Sequence, residues 1–451
     1  MSLVPVTPSS AFALRYLPLC RALIGVVLTR LALFGVVLIG AVSADAADAN
    51  QDDQWSRFHG KDGIGYCASG TIPDSWTDSD YRWRYKTGAR DVGSPVVIAG
   101  KVFLLSSRPK TQKIAVEALD LASGKKQWSK QYDHPNHHLH RRNTFASSTP
   151  ATDGENVFVA WSNPEHTYLK CFDHDGNELW SRDFGTWQSQ HGFGTSPRIV
   201  GDKVLLFNSQ QADQLKPGQV GGSSRMIAVD RKTGKTSWET GLKTRKSCYG
   251  VPAIYQPPQQ RLQVIGANTG NGLFGLSVDT GKLLWSAEVF DARCCSTPLI
   301  VGDIAIGSAG SGGGGNHLVA VRIPASGSDE PEKLYRIDRN APYVPTPVVK
   351  GEHLFMIGDK GVASCIDVQT GDSLWQKRVG GNFGASPIII GDKMLIVSLT
   401  GQATVLRASA KWEQISQFEL GGSVGATPAF ANGNLILRVG DELLCLGPDA
   451  I

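Results

Sequence analysis

The chain has 451 residues, a net charge of +4, 41% apolar and 19% charged residues. That balance excludes global disorder, and without a Lys/Arg-dense stripe it gives no case for nucleic acid as a partner. The 51 Gly and 23 Pro exclude a mostly helical fold, since Gly weakens helix interiors and Pro breaks them, and favour many short strands joined by tight turns.

Residues 1–46 read as a targeting segment. Arg15, Arg21 and Arg30 precede an apolar run, Leu31–Val42, of 12 residues, and small residues follow at Ala41-Val-Ser43 and Ala44-Asp-Ala46. This is the pattern of a secretory signal with a long charged front. Twelve residues fall short of the roughly 20 needed for a span. The stretch Ala22–Val42 is broken only by Thr29 and Arg30, so an uncleaved anchor is the alternative. Either way the body is expected outside the cytoplasm, periplasmic or extracellular, with membrane contact only through this segment if it stays. Cys20 sits in Leu-Pro-Leu-Cys, which is not a lipobox. Removing the segment takes away three Arg and Asp45, leaving about +2. The seven cysteines that follow are an odd number, and several sit in apolar strand-like runs, so a dense disulfide scaffold is not expected. Residues 47–80 are a lead-in segment, and 81–447 the folded body.

The body is repetitive. One anchor is Ser/Thr-Pro before an apolar run, at Ser94-Pro95, Thr149-Pro150, Ser196-Pro197, Thr297-Pro298, Thr346-Pro347, Ser386-Pro387 and Thr427-Pro428; Val251-Pro252 fills the gap. The mean step is about 48 residues, in the range of propeller blades. A second anchor, Gly-x-x-x-Trp, pairs Gly124/Trp128, Gly176/Trp180, Gly234/Trp238, Gly281/Trp285 and Gly371/Trp375. An Asp precedes most copies, and Leu334-Tyr335 and Gln417-Phe418 are degenerate ones. Between the anchors lie a Gly turn, a second strand such as KVFLLS from Lys101, and a third such as RMIAVD from Arg225. Four strands per unit make a propeller blade.

Closure is countable. Eight Pro-started inner strands face only seven outer strands after Pro95. The last unit lacks an outer strand, and Tyr81–Lys86, with Trp83, precedes the first inner strand without a unit of its own. The two remainders complete one blade. The expected fold is all-β: an eight-bladed β-propeller of four-stranded antiparallel blades, with an N-terminal strand closing the last blade and no free edge there.

The Asp-x-x-Thr-Gly-x-x-x-Trp copies at 230–238 and 367–375, and the opening Trp55-Ser-Arg-Phe-His-Gly-Lys-Asp-Gly-Ile-Gly65, resemble the PQQ-binding-like propeller superfamily. That superfamily includes quinoprotein alcohol dehydrogenases and the propeller of the outer-membrane β-barrel assembly machinery. The resemblance spans about residues 55–447 and implies a fold rather than a function, because one scaffold carries unrelated roles.

Chemistry on such a fold is expected where the loops before each inner strand ring one mouth of the channel. The candidate ligand-contacting set there is Asn143, His191, Tyr249, Arg293, Cys294, Cys295, Tyr343, Asn382 and Phe383. The adjacent cysteines are the sharpest feature: the resemblance implies a vicinal disulfide against a quinone face, while the plainer reading is two small residues at a packed strand start. The same resemblance implies Ca²⁺ held by Glu, Asn and Asp with an Asp base, but no matching set is identifiable, and Asp91 and Asp291 are the obvious mouth carboxylates. His134-Pro-Asn-His137-His138-Leu-His140 offers His137, His138 and His140 as weak metal candidates, at a spacing that fits no structural zinc pattern. Gly310–Gly315 is a flexible loop without the Lys-Ser/Thr of a phosphate loop, and 210–224 is a polar excursion at the same mouth. The leading expectation is a non-catalytic exported scaffold, without cofactor or catalytic residues, binding a protein or cell-envelope polymer at this mouth. The alternative is a PQQ- and Ca²⁺-dependent alcohol or sugar dehydrogenase.

Overall fold

A computed structural model describes residues 54–258, 260–325 and 330–448. Residues 1–46, expected to be a targeting segment, lie outside the described residues. Eight sheets form the eight blades. Blade 1 is Val96–Ile98, Lys101–Arg108, Lys113–Asp120 and Lys126–Asp133, each strand antiparallel to the next. Blades 2 to 7 repeat this order, ending in the outer strands Glu178–Asp183, Thr236–Leu242, Leu283–Ala287, Glu332–Ile337, Ser373–Arg378 and Gln414–Glu419. In blade 8 the strands Ala429–Ala431, Asn434–Val439 and Glu442–Leu446 receive Tyr81–Lys86 as the outer strand, with Trp83 opposite Cys445. The first and last strands therefore share one sheet, as the strand count requires.

Burial explains the composition. The second strand of blade 3, Lys203–Asn208, is buried at every position but its first, whereas the outer strand of blade 2 alternates around Trp180. Middle strands are covered on both faces by neighbouring blades, and only the outer strand meets water.

The two anchors turn out to be blade-to-blade joints. Trp180 donates its indole N–H to the Arg231 carbonyl of the next blade at 2.9 Å, and a Cβ on Gly234, whose φ is +68°, would stand 2.7 Å from its ring. Trp83, Trp128, Trp238 and Trp375 make the same forward bond, to Leu121, His174, Val278 and Ser409, and Tyr335 makes it to Val368 through its hydroxyl. Trp285 instead turns to Gln263 of its own blade. Phe418 has no donor and packs edge-on against Trp76 of the lead-in, centroids 4.6 Å apart.

The Ser/Thr-Pro anchors form an inner belt. The Thr149 hydroxyl accepts the Ser94 amide, Ser196 that of Thr149, Thr297 that of Val251, Thr346 that of Thr297, Ser386 that of Thr346, and Thr427 that of Ser386, at 2.9–3.2 Å. Val251 has no hydroxyl, so the belt lacks this bond between blades 3 and 4.

The lead-in is tied to the inner strands of blades 1, 2, 6 and 7. Trp55 bridges Val97 of blade 1, the Ser56 carbonyl accepts from Thr152 of blade 2, and Tyr66–Cys67 runs parallel to Ile388–Ile390 of blade 7. Between them, 57–63 turns sharply. Buried Arg57 donates to the carbonyls of Lys61 and Asp62 at 3.1 and 2.5 Å, and His59 bonds the Pro387 carbonyl at 2.8 Å. Gly63 is obligatory: its φ is +75°, and a Cβ would lie 1.9 Å from the Arg57 guanidinium. Lys393 ties the exit to Ile72 and Asp74. Among the described residues no helix is long and apolar enough to cross a membrane.

Candidate functional site

The mouth opposite the lead-in holds a cavity of about 450 Å³. Its wall is set by the loops that deliver each inner strand, and these loops are pinned by the hydroxyl belt. The lead-in turn closes it from below, with Phe58 in its floor. Of the residues expected there, Asn143, His191, Tyr249, Arg293, Cys295 and Tyr343 come together around it.

The remaining three do not. Phe383 is 1% exposed and packs in the core between blades 6 and 7. Asn382 is exposed and lines a smaller neighbouring hollow with Asp359. Cys294 is fully buried beside Cys248: its amide approaches the Cys248 sulfur at 3.4 Å, and its carbonyl accepts from Tyr249 at 2.9 Å. Cys294 and Cys295 are separate thiols here. Successive residues of an extended segment face opposite sides, so only Cys295 reaches the cavity.

Arg293 is the centre of the wall. It is 7% exposed, donates from Nε to the Ser247 carbonyl at 2.8 Å and from Nη2 to Gln211 Oε1 at 3.3 Å, and lies 3.4 Å from His191 Nε2. Gln211 was missed by sequence reasoning; it lies at the start of the 210–224 excursion, and only the folded loop brings it under Arg293. Asn143 is a brace. Its amide nitrogen donates to the carbonyls of His191 and Phe193 at 2.6 and 2.9 Å, and its oxygen accepts from Thr144 and Ser147.

Burial moves His191, Tyr249, Cys295 and Tyr343 away from neutral pH and lowers His140. Burial, with Arg293 and His140 beside it, holds His191 down at about 4. Burial pushes Tyr249 and Cys295 up to about 12, and raises Tyr343 further. The cavity lining contains no Asp or Glu. Asp91, expected at the mouth, is instead sealed in an ion pair with Arg438 at 2.9 Å and accepts from Ser107. Asp359 is the nearby carboxylate, but it accepts from the Tyr343 amide at 2.7 Å and faces the smaller hollow. Asp291 is exposed beside His317.

The histidine run also separates. His137 bonds the Pro135 carbonyl and packs on Phe145, His138 is exposed, and His140 stacks near His191 with centroids 4.7 Å apart. Among the described residues no group of three or more His, Cys, Asp or Glu is placed to hold a metal ion. Among the described residues His137 packs on Phe145 and His140 on His191, so the run does not converge on one point.

The chain matches the family model described as "Outer membrane protein assembly factor BamB" over residues 112–324 and 332–447. Outer membrane protein assembly factor BamB of Moranella endobia is 22% identical over 250 residues, covering 52% of this chain and 58% of that protein. The chain thus matches little more than half the length of that relative. Among solved structures, BamB from Moraxella catarrhalis aligns with a TM-score of 0.57 at 13% identity, over 81% of this chain and 98% of that one. Quinohemoprotein alcohol dehydrogenase from Comamonas testosteroni aligns with a TM-score of 0.60 at 13% identity, over 89% and 81%. At such identities the structural likeness speaks for the fold alone. The family match covers well over half the chain: this protein belongs to the PQQ-type β-propeller family described by the name of the assembly factor BamB.

Proposed function

We propose that this protein is an exported, non-catalytic propeller that holds a protein or cell-envelope ligand at its loop-lined channel mouth. The observation that carries this reading is a cavity braced by hydrogen bonds and lined by binding groups without a carboxylate. Arg293, Tyr249 and Tyr343 offer hydrogen bonds and charge, while none of the titratable wall residues named above is shifted toward neutral pH. Membership of a family named for an assembly factor supports a protein partner.

The dehydrogenase alternative is disfavoured by the donor set. A hard cation takes six or more oxygen ligands, commonly carboxylates. The cavity lining supplies no carboxylate, and the nearby Asp91 and Asp359 are already engaged. The cysteine pair does not present two sulfurs to the cavity.

Photocrosslinking in the native host tests the reading. A photoreactive residue at position 141, on the cavity wall, is expected to yield a discrete adduct. One at position 352, in the exposed turn between the inner and second strands of blade 6, is not. Adducts only from 352 overturn it. So does saturable uptake of PQQ with Ca²⁺ accompanied by dye reduction with alcohols or sugars.

A further inference from the structure

The mouth cavity has a charge imbalance that the fold does not resolve. Arg141, Arg142 and Arg293 line it and no Asp or Glu does; Arg142 lies 3.8 Å from Asp359 of the adjoining hollow, while Arg141 and Arg293 have no such partner among the described residues. Arg293 is nine-tenths buried, and among the described residues it has no carboxylate within ion-pair distance. Arg438, similarly buried, has Asp91 at 2.9 Å, whereas Arg57, buried in the lead-in turn, is held by the carbonyls of Phe58, Lys61 and Asp62. A buried cation normally has a counter-charge, since desolvation without one is costly. Gln211 and the Ser247 carbonyl hold the Arg293 guanidinium in place, and both are neutral. His191 Nδ1 is buried and has no hydrogen-bond partner among the described residues.

The second observation is that the channel is a dead end. The lead-in turn, tied to blades 1, 2, 6 and 7, closes it below this wall, with Phe58 as the floor. A ligand entering from the mouth meets this turn. The space, about 450 Å³, suits a small molecule or a chain terminus.

We propose that the mouth is a closed-ended receptor for a terminal carboxylate, paired with Arg293 and framed by His191, Arg142 and Tyr343. The planar fork of Arg matches a carboxylate in two-point contact. Val92, Val251, Val344 and Leu399 give the adjoining carbon skeleton an apolar wall. The inference rests on the mouth being the binding face. The carboxylate comes either from the C-terminus of a polypeptide or from a free small acid.

Calorimetry on the full chain separates the possibilities. The probes are a hexapeptide with a free C-terminus, its C-terminal amide, succinate and inorganic phosphate. Saturable binding of the free peptide, at least tenfold weaker for the amide, supports a polypeptide source; binding of succinate without the peptide supports a small acid. Arg293→Gln is expected to weaken binding at least tenfold, and Arg245→Gln, whose exposed side chain is outside the cavity, to leave it unchanged. If Arg293→Gln does not fold, Arg142→Gln and His191→Gln serve, each with an expected loss of three- to tenfold. Equal binding of acid and amide, binding of phosphate alone, no binding of any probe, or insensitivity to these folded variants overturns the proposal. A mouth adduct that survives Arg293→Gln in the crosslinking experiment sinks this inference and leaves the scaffold reading intact.

Discussion

At the scale of single residues, the hydroxyl belt is the clearest device. Six Ser or Thr hydroxyls before a Pro each accept a buried amide of the blade before, and a net hydrogen bond of this kind contributes about 1 kcal/mol. Thr346→Val leaves the Thr297 amide buried without its acceptor. Chemical denaturation is expected to report a loss of about 1–3 kcal/mol. Val251→Thr, at the seam that lacks a hydroxyl, is expected to hold or raise the melting temperature. His59 makes a second residue-level point. Burial holds its pKa down at about 4 against the usual 6.5, so the unfolded chain binds the proton more readily. Its contribution is intact above pH 6.5 and is lost progressively as pH falls toward 4. Melting temperatures across this window are expected to fall with a steeper slope in the native chain than in His59→Gln. Equal slopes would assign the acid sensitivity to other groups.

At the scale of elements, the lead-in turn matters more than its length suggests. It is a short internal piece that satisfies inner-strand edges of several blades, and its tight curve leaves no room for a side chain at position 63. Gly63→Ala forces a clash with Arg57 at a left-handed backbone position. The expected cost is about 2–4 kcal/mol. Limited proteolysis is expected to cut the lead-in of this variant first, before any blade. Cleavage of blades and lead-in at one rate would show that the turn is not a separable plug. The cysteine pair belongs to this scale too, because strand geometry sends the two thiols to different places. Peptide mapping without reduction is expected to return residues 294 and 295 unbridged to each other.

At the scale of the whole molecule, closure decides stability. Tyr81–Lys86 covers the edge of Glu442–Leu446, and Trp83 then reaches forward to blade 1, so one strand both finishes the ring and locks its seam. A chain beginning at residue 88 exposes that edge and empties the Trp83 site. It is expected to lose cooperative melting and to aggregate, as uncovered edges do. A soluble, cooperatively melting truncation would remove this strand from the role. The fold was largely legible because a propeller repeats one solution eight times. Pro starts, Gly turns and outer Trp recur at a near-constant step, and the strand surplus at each end forced the shared blade. The site was legible only in part. Position before an inner strand correctly brought Arg293, His191, Tyr249 and Tyr343 to one cavity, but Phe383 occupies the same kind of position and points into the core. Loop position alone does not set the direction of a side chain.

By itself, then, the sequence determined the periodic facts: strand order, blade number and the manner of closing. These depend on local backbone preference and on apolar spacing, both written along the chain. Tertiary structure alone decided which groups face the cavity, that Asp91 is consumed by Arg438, that Gln211 supports Arg293, and that the lead-in stops the channel. Those outcomes pair residues tens to hundreds of positions apart, and the physics that selects them, desolvation of charge and competition for hydrogen-bond partners, acts only once the ring has closed.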